Sequence, residues 1–297
     1  MNNQPPLTYL LYVQDIDEQL RRCCWREFAC NGAKRIVLDE QMLRMIMQEP
    51  GLEKKLAAEL AAEGLSFADA HAPYGPYWDL NCTIEEERPA LAVRLQLAIA
   101  IVASLGVKTM TVHVGTDHLF PDVPFEKHFS RSCSMLEKLL PTAEKYGVTL
   151  AIENGWTKTT STETLLALKE KFPVDNLGFC FDSGHANIMD NGRLYSRGEA
   201  YTRWNAIGVE TPPWEKIEDR LQRMLPHIVN CHLHDNDGSG DMHILPGQGN
   251  INWGSVLNIL LKAPRLQIMQ SEVLIFRNSL SIRETVETFN KLFKQEC

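Results

Sequence analysis

Residues 227–249 read HIVNCHLHDNDGSGDMHILPGQG, with His232 and His234 flanking Leu233, and Asp241 and His243 two residues apart beyond a glycine-rich loop. The run from His227 to His232 has the length and β-branched content of a buried strand, and it stops on a polar cluster. Imidazole and carboxylate are the usual protein ligands of zinc, manganese or cobalt, and a strand end holds them more rigidly than a free loop does. This stretch therefore reads as a scaffold presenting ligands to a divalent metal.

Working outward, short β-type runs alternate with longer helical patterns. The expected strands are Thr8–Val13, Lys34–Leu38, Leu65–His71, Lys108–His113, Val148–Glu153, Leu177–Asp182, His227–His232 and Gln267–Glu272. Helical patterns cover about 17–30, 53–63, 85–105, 125–146, 161–172, 214–224, 253–262 and 281–294, several closed by a glycine such as Gly64, Gly106 or Gly147. Eight such units favour an all-parallel sheet closed into a (β/α)8 TIM barrel, an α/β fold. An open doubly wound sheet would normally carry a glycine-rich phosphate loop after its first strand, and Gln14-Asp-Ile-Asp is not one. Residues 1–297 thus read as a single barrel domain with an irregular insertion at about 190–214, rich in Gly, Arg, Tyr and Trp. An insertion of that length is expected to fold over the barrel mouth as a specificity loop, or to form a subunit contact in a homo-oligomer.

The composition narrows the function. With 44% hydrophobic and 23% charged residues, the chain has ample material for a large core. A net charge of −8 argues against nucleic acid as a partner, because phosphate backbones are gripped by clustered Lys and Arg. Eight cysteines lie scattered without CxxC pairs, which reads as reduced, mostly packing residues. The N-terminus, Met1-Asn-Asn-Gln-Pro-Pro, has no signal-peptide pattern, and no apolar run approaches membrane-spanning length, so a cytoplasmic location is expected.

Ionisable residues fall at one end of the expected strands. His71 ends the third, His113 the fourth, Glu153 the fifth, Asp182 the sixth, His232 the seventh and Glu272 the eighth. In a barrel all six converge on the carboxyl-terminal mouth, where catalytic groups of this architecture sit. Uncompensated charges gathered there would repel one another unless a cation held them. His185, His234, Asp241 and His243 lie just beyond the strands on the same face, whereas His118, His128 and His227 read as surface or packing residues.

The ordered motifs HAPY, VHVG, AIEN, FDSGH, HLHD, D-x-H-x-x-P-G-x-G and SEV, spanning about residues 65–276, resemble the xylose isomerase-like TIM-barrel superfamily. That superfamily contains sugar epimerases and isomerases, inosose dehydratases and endonuclease IV. The resemblance implies that Glu153, Asp182, His232 and Glu272 hold one divalent metal ion, with manganese, cobalt, magnesium and zinc the candidates. It also implies that Glu153 and Glu272 exchange a proton on opposite faces of a cis-enediolate derived from a small carbohydrate. The expected activity is a metal-dependent isomerase or epimerase of a sugar, sugar phosphate or polyol. His71, His113, His185, His234, Asp241 and His243 are then further ligands or substrate contacts. Epimerases of this kind carry an arginine where this chain has His243, whereas endonuclease IV has an Asp-x-His pair there. Two alternatives therefore stand beside the first reading: an enolate-type dehydratase or lyase on the same site, and an endonuclease IV-like multinuclear zinc phosphodiesterase.

Overall fold

A computed structural model describes residues 5–13 and 16–294. Eight parallel strands close into a barrel in sequence order. The first half runs β1 (Leu7–Tyr9), α1 (Glu18–Cys30), β2 (Arg35–Leu38), α2 (Glu40–Gln48), α3 (Leu52–Ala62), β3 (Ser66–His71), α4 (Arg88–Ser104), β4 (Thr109–Val112) and α5 (Phe125–Tyr146). The second runs β5 (Thr149–Glu153), α6 (Thr162–Lys171), β6 (Leu177–Asp182), α7 (Ser183–Asn191), α8 (Glu199–Ala206), α9 (Ile217–Met224), β7 (Ile228–Leu233), α10 (Trp253–Leu260), β8 (Ile268–Ser271) and α11 (Ile282–Lys294). The expected barrel is therefore present, closed by pairing of β1 with β8 through Thr8 and Gln270.

Local chemistry accounts for the elements. Asp17, Asp39 and Ser161 cap α1, α2 and α6 by accepting main-chain N–H groups of the first turn, and Gly147 ends α5 in the left-handed conformation at φ 65°. Side chains alternate between the barrel interior and the helical shell. Tyr9 points outward, where its ring centroid lies 5.5 Å from Phe28 of α1 and 6.2 Å from Phe289 of α11. These contacts sew the first and last helices over the seam.

Three local expectations are corrected. The first strand is only Leu7–Tyr9, and its pairing with β8 ends at the bond from the Leu10 N–H to the Ser271 carbonyl at 3.0 Å. Helix α2 is an additional element, nucleated by the buried Asp39 cap and by Met42, Leu43 and Ile46 on one face. The 190–214 insertion is not irregular throughout: α7 extends into it and α8 follows, with Trp204 and Ala200 packed against Trp156, Ile188 and Met189. Its glycine and arginine content hides a helix of 8 residues that depends on this tertiary packing. His227 lies in a turn before β7, its ring against Phe179 at 5.3 Å, and His128 is buried, so both pack as expected.

Among the described residues the seven cysteines are free, with Cys23 and Cys30 exposed and the others buried. No described helix is long and apolar enough to cross a membrane. Cys297, the N-terminal residues 1–4 and the Gln14-Asp15 pair lie outside the described residues.

The loop after β7 is anchored by one carboxylate. Asp235, fully buried, accepts from the main-chain N–H groups of Gly247 at 2.8 Å and Ile251 at 3.3 Å, and from Trp253 Nε1 at 2.9 Å. Asn187 Nδ2 ties α7 to the same loop through Asn236 Oδ1 at 2.8 Å and Asn250 Oδ1 at 2.7 Å. Asp235→Ala leaves these three donors, and the Asn236 N–H that the same carboxylate accepts at 3.0 Å, without their acceptor and is expected to destabilise the fold by about 3 kcal/mol. Urea unfolding of the variant against wild type measures this, and a loss within ~0.5 kcal/mol, the range of an ordinary surface substitution, would contradict it.

Candidate active site

The barrel brings all ten expected site residues to its carboxyl-terminal mouth. His232, fully buried in β7, turns Nδ1 toward three carboxylates: Glu153 Oε1 at 2.6 Å, Glu272 Oε1 at 3.2 Å and Asp182 Oδ2 at 3.9 Å. His71 Nε2 lies 3.9 Å and His113 Nε2 2.8 Å from Glu153 Oε2. Donor atoms of His71, Glu153, His232 and Glu272 all fall within 4.8 Å of one another.

A second group lies beside the first, in which donor atoms of His185, His234, Asp241 and His243 also fall within 4.8 Å of one another. Asp241 Oδ2 is 3.0 Å from His243 Nε2 and 3.5 Å from His185 Nε2. His234 joins the groups, its Nε2 being 3.1 Å from Asp182 Oδ2 and 3.9 Å from Glu272 Oε2.

Backbone requirements explain this placement. The His234 ring occupies the space a side chain at Gly184 would need, since a Cβ there would lie 2.0 Å from His234 Cε1. His243 has φ 49°, a left-handed conformation that a non-glycine residue adopts only under constraint. Its carbonyl accepts from Leu274 N at 3.1 Å and Asn278 Nδ2 at 2.8 Å, and its ring Nδ1–H donates to the Glu272 carbonyl at 2.8 Å. Asn154 locks β5 to β6 by donating to the Asp182 carbonyl at 3.0 Å and accepting from the Asp182 N–H at 2.8 Å.

The electrostatics reflect this crowding. Burial by itself would raise the carboxyl pKa values of Glu153 and Glu272, yet His232 and the neighbouring imidazoles hold both below the usual carboxylate range. Burial likewise opposes a charge on His243, but Asp241 outweighs it and raises that pKa to about 9.

The donor set fits a divalent ion. His71, His185 and His243 each give Nδ1–H to a main-chain carbonyl at 2.8 Å, namely those of Ala72, Asn154 and Glu272. For the neutral ring that would ligate an ion, that bond selects the tautomer whose lone pair is on Nε2, and in all three rings Nε2 faces a carboxylate of the cluster. Asp241 Oδ1 and His234 Nδ1 are buried without a hydrogen-bond partner among the described residues.

Above these residues opens a cavity of about 360 Å³. Tyr12 and Tyr74 form one wall, their hydroxyls 3.3 Å apart. Arg203 of α8 and Trp156 line it as well, Arg203 lying over the Trp156 ring at 4.1 Å and Trp156 packing on His185 with centroids 4.5 Å apart. Arg203 and Trp156 carry no ligand motif; their one sequence signal is the Arg- and Trp-rich character of the insertion and the Trp that follows AIEN. His118, expected as a surface or packing residue, also lines this cavity, to which the loop after β4 contributes Gly115, Thr116 and Leu119 as well.

The chain belongs to the xylose isomerase-like TIM-barrel family, whose model matches residues 27–270. It is 26% identical over 230 residues to the uncharacterized protein MJ1311 of Methanocaldococcus jannaschii, covering 75% of this chain and 71% of that one. In fold it is similar to a D-tagatose 3-epimerase-like protein, with a TM-score of 0.69 at 20% identity over 98% of this chain and 100% of the other. It is also similar to an IolI protein solved with a bound zinc atom, with a TM-score of 0.67 at 18% identity over 97% and 96% of the two chains.

Burial and the nearby Arg203 charge push the His118 pKa down to about 4. The unfolded chain, with an ordinary histidine, therefore binds more protons than the folded one between about pH 6.5 and 4. Stability from this group is present in full above that window and is lost as pH falls through it. His118→Asn is expected to flatten that part of the stability–pH curve, which thermal melts at pH 7, 5.5 and 4.5 measure; identical pH dependence in both proteins would refute it.

Proposed function

We propose that the protein is a divalent-metal-dependent isomerase or epimerase of a sugar or related polyol, with Glu153 and Glu272 as its proton-transferring carboxylates. Glu153, Asp182, His232 and Glu272 would hold the ion. The observation that carries this reading is the convergence of Glu153 and Glu272 on His232 Nδ1, at 2.6 and 3.2 Å, from strands β5 and β8. Those strands stand three apart in the closed sheet, so the two carboxylates reach the floor of the cavity from different sides.

Inverting or shifting a stereocentre beside a carbonyl requires one group to take the carbon-bound proton and another to return it at a different face or position. When bound, a divalent cation supplies Lewis-acid stabilisation of the oxygen that gains negative charge. The imidazoles hold both carboxylates ionised, so either can act first as base. Tyr12 and Tyr74 offer hydroxyl contacts suited to a sugar. Arg203, carried in by the insertion, would read the end of the substrate far from the reacting carbon. Similarity in fold to a D-tagatose 3-epimerase-like protein supports the same class of substrate.

Glu153→Gln or Glu272→Gln removes a proton acceptor and is expected to lower turnover by about 10³-fold or more. A panel of ketoses assayed in deuterated water reads this directly, as wild type should incorporate solvent deuterium at the carbon beside the carbonyl. Incorporation undiminished in both variants would sink the assignment.

A second reading rests on the four-donor group at His185, His234, Asp241 and His243. Two adjacent donor groups suit a multinuclear centre and hydrolysis of a phosphodiester of the endonuclease IV kind. The net charge of −8 favours the sugar reading over DNA. Elemental analysis of wild type and His243→Arg separates the two. About one ion per chain in both proteins supports the mononuclear site. Two or three ions falling by one in the variant, with nicking of abasic DNA by wild type, would overturn it, because a guanidinium has no lone pair for a metal.

A further inference from the structure

Beneath the mouth the barrel interior is polar where a barrel of this type is ordinarily filled by branched apolar side chains. Asp69 of β3, Thr109 and Thr111 of β4 and Asn230 of β7 are all buried there, with His232 directly above. Thr109 Oγ1 donates to Asp69 Oδ1 at 2.5 Å. Asn230 Nδ2 donates to Asp69 Oδ2 at 3.2 Å and to Thr111 Oγ1 at 2.9 Å. Thr111 Oγ1 in turn lies 3.3 Å from His232 Nε2, the ring nitrogen facing away from Glu153, Asp182 and Glu272.

The direction of these bonds is determined by their ends. A carboxylate only accepts, so Thr109 and Asn230 must both present protons to Asp69. A flipped Asn230 amide would set its carbonyl oxygen against the Asp69 carboxylate, which fixes the amide with its second proton on Thr111. Thr111 Oγ1 is thereby held in place with a lone pair free for the ring above it. Cys180 also adjoins the His232 ring, but a thiol is a weak acceptor.

We propose that Asp69, acting through Asn230 and Thr111, is a positioning device for His232. The chain gives Nε2–H a fixed acceptor inside the barrel and so leaves the lone pair of Nδ1 turned to the three carboxylates. His71, His185 and His243 obtain the same service from main-chain carbonyls, whereas His232, in mid-sheet with its neighbouring carbonyls engaged in the ladder, takes it from side chains. A buried carboxylate with two hydroxyls and an amide brings no stability over well-packed apolar residues of similar volume, so its presence here calls for a role in the site. The inference rests on His232 being a metal ligand.

The test is a metal titration of the full-length, metal-stripped protein, read by the visible absorption of Co²⁺ and by Zn²⁺ competition, with urea unfolding of the metal-free proteins alongside. Thr111→Val keeps the shape but deletes the acceptor, and is expected to weaken both ions by about 10- to 100-fold. Thr111→Ser restores the hydroxyl and is expected to bind within about threefold of wild type, whatever either change does to unfolding. Asp69→Asn releases the Asn230 amide and is expected to weaken binding in the same direction, which carries the test where Thr111→Val does not fold. Wild-type affinity in Thr111→Val and Asp69→Asn overturns the inference and leaves the metal reading standing. A loss in Thr111→Val that Thr111→Ser fails to restore also overturns it. Wild type that binds neither ion overturns both.

Discussion

Four carboxylates, Glu153, Asp182, Asp241 and Glu272, are gathered at one end of the barrel within reach of the same imidazoles, and the rest of the molecule is arranged around that concentration of charge. Like charges at such separations, out of water, cost several kcal/mol each unless a cation or proton compensates them. In the metal-free protein that compensation comes from protonated imidazoles, which is why burial fails to raise the pKa values of Glu153, Glu272 and Asp241 and why that of His243 is drawn upward. Protonated imidazoles and a bound cation are thus alternative ways of offsetting the same negative charge, and loss of the one would accompany binding of the other.

Closure of the sheet makes the concentration unavoidable. Parallel strands joined by helices all run the same way, so a polar residue at the end of each strand arrives at the same mouth. Rigidity comes from below and from the side. The buried Asp69 chain stands under His232, and Asp235 pins the loop from Asn236 to Trp253. Three bonds over-determine the left-handed backbone of His243, a conformation that a mobile loop would not retain.

These features differ in how far they can be read from residues alone. The barrel and the ten residues at its mouth were legible because both follow from order along the chain: strand runs at regular spacing, and a His, Glu or Asp at the end of six of them. The HAPY to SEV motif order, with the family it indicates, was legible for the same reason. Arg203 and His118 were not, because their place at the cavity depends on where α8 packs and on the path of the loop after β4, and neither leaves a periodic trace. Helix α2 depends on a buried aspartate cap that looks in sequence like any strand-terminal Asp. The polar barrel interior was invisible for another reason: Asp69, Thr109, Thr111 and Asn230 lie on three strands, and only closure of the sheet brings Asn230 across the barrel to Asp69 and Thr111.

The position of His243 bears on which chemistry the site selects. Its Nε2 points to Asp241 while its Nδ1 is committed to the Glu272 carbonyl, so the ring links the second donor group to a proposed proton-transferring residue of the first. An arginine there would place a permanent cation beside Glu272, whereas a histidine with Nδ1–H held by a carbonyl can release its Nε2 proton and offer the lone pair to an ion. The cation on this side of the cavity is instead Arg203, brought by the insertion and held between Trp156 and Glu199. A permanent cation thus reaches the cavity from α8, while position 243 keeps a side chain that, unlike a guanidinium, can give up its proton.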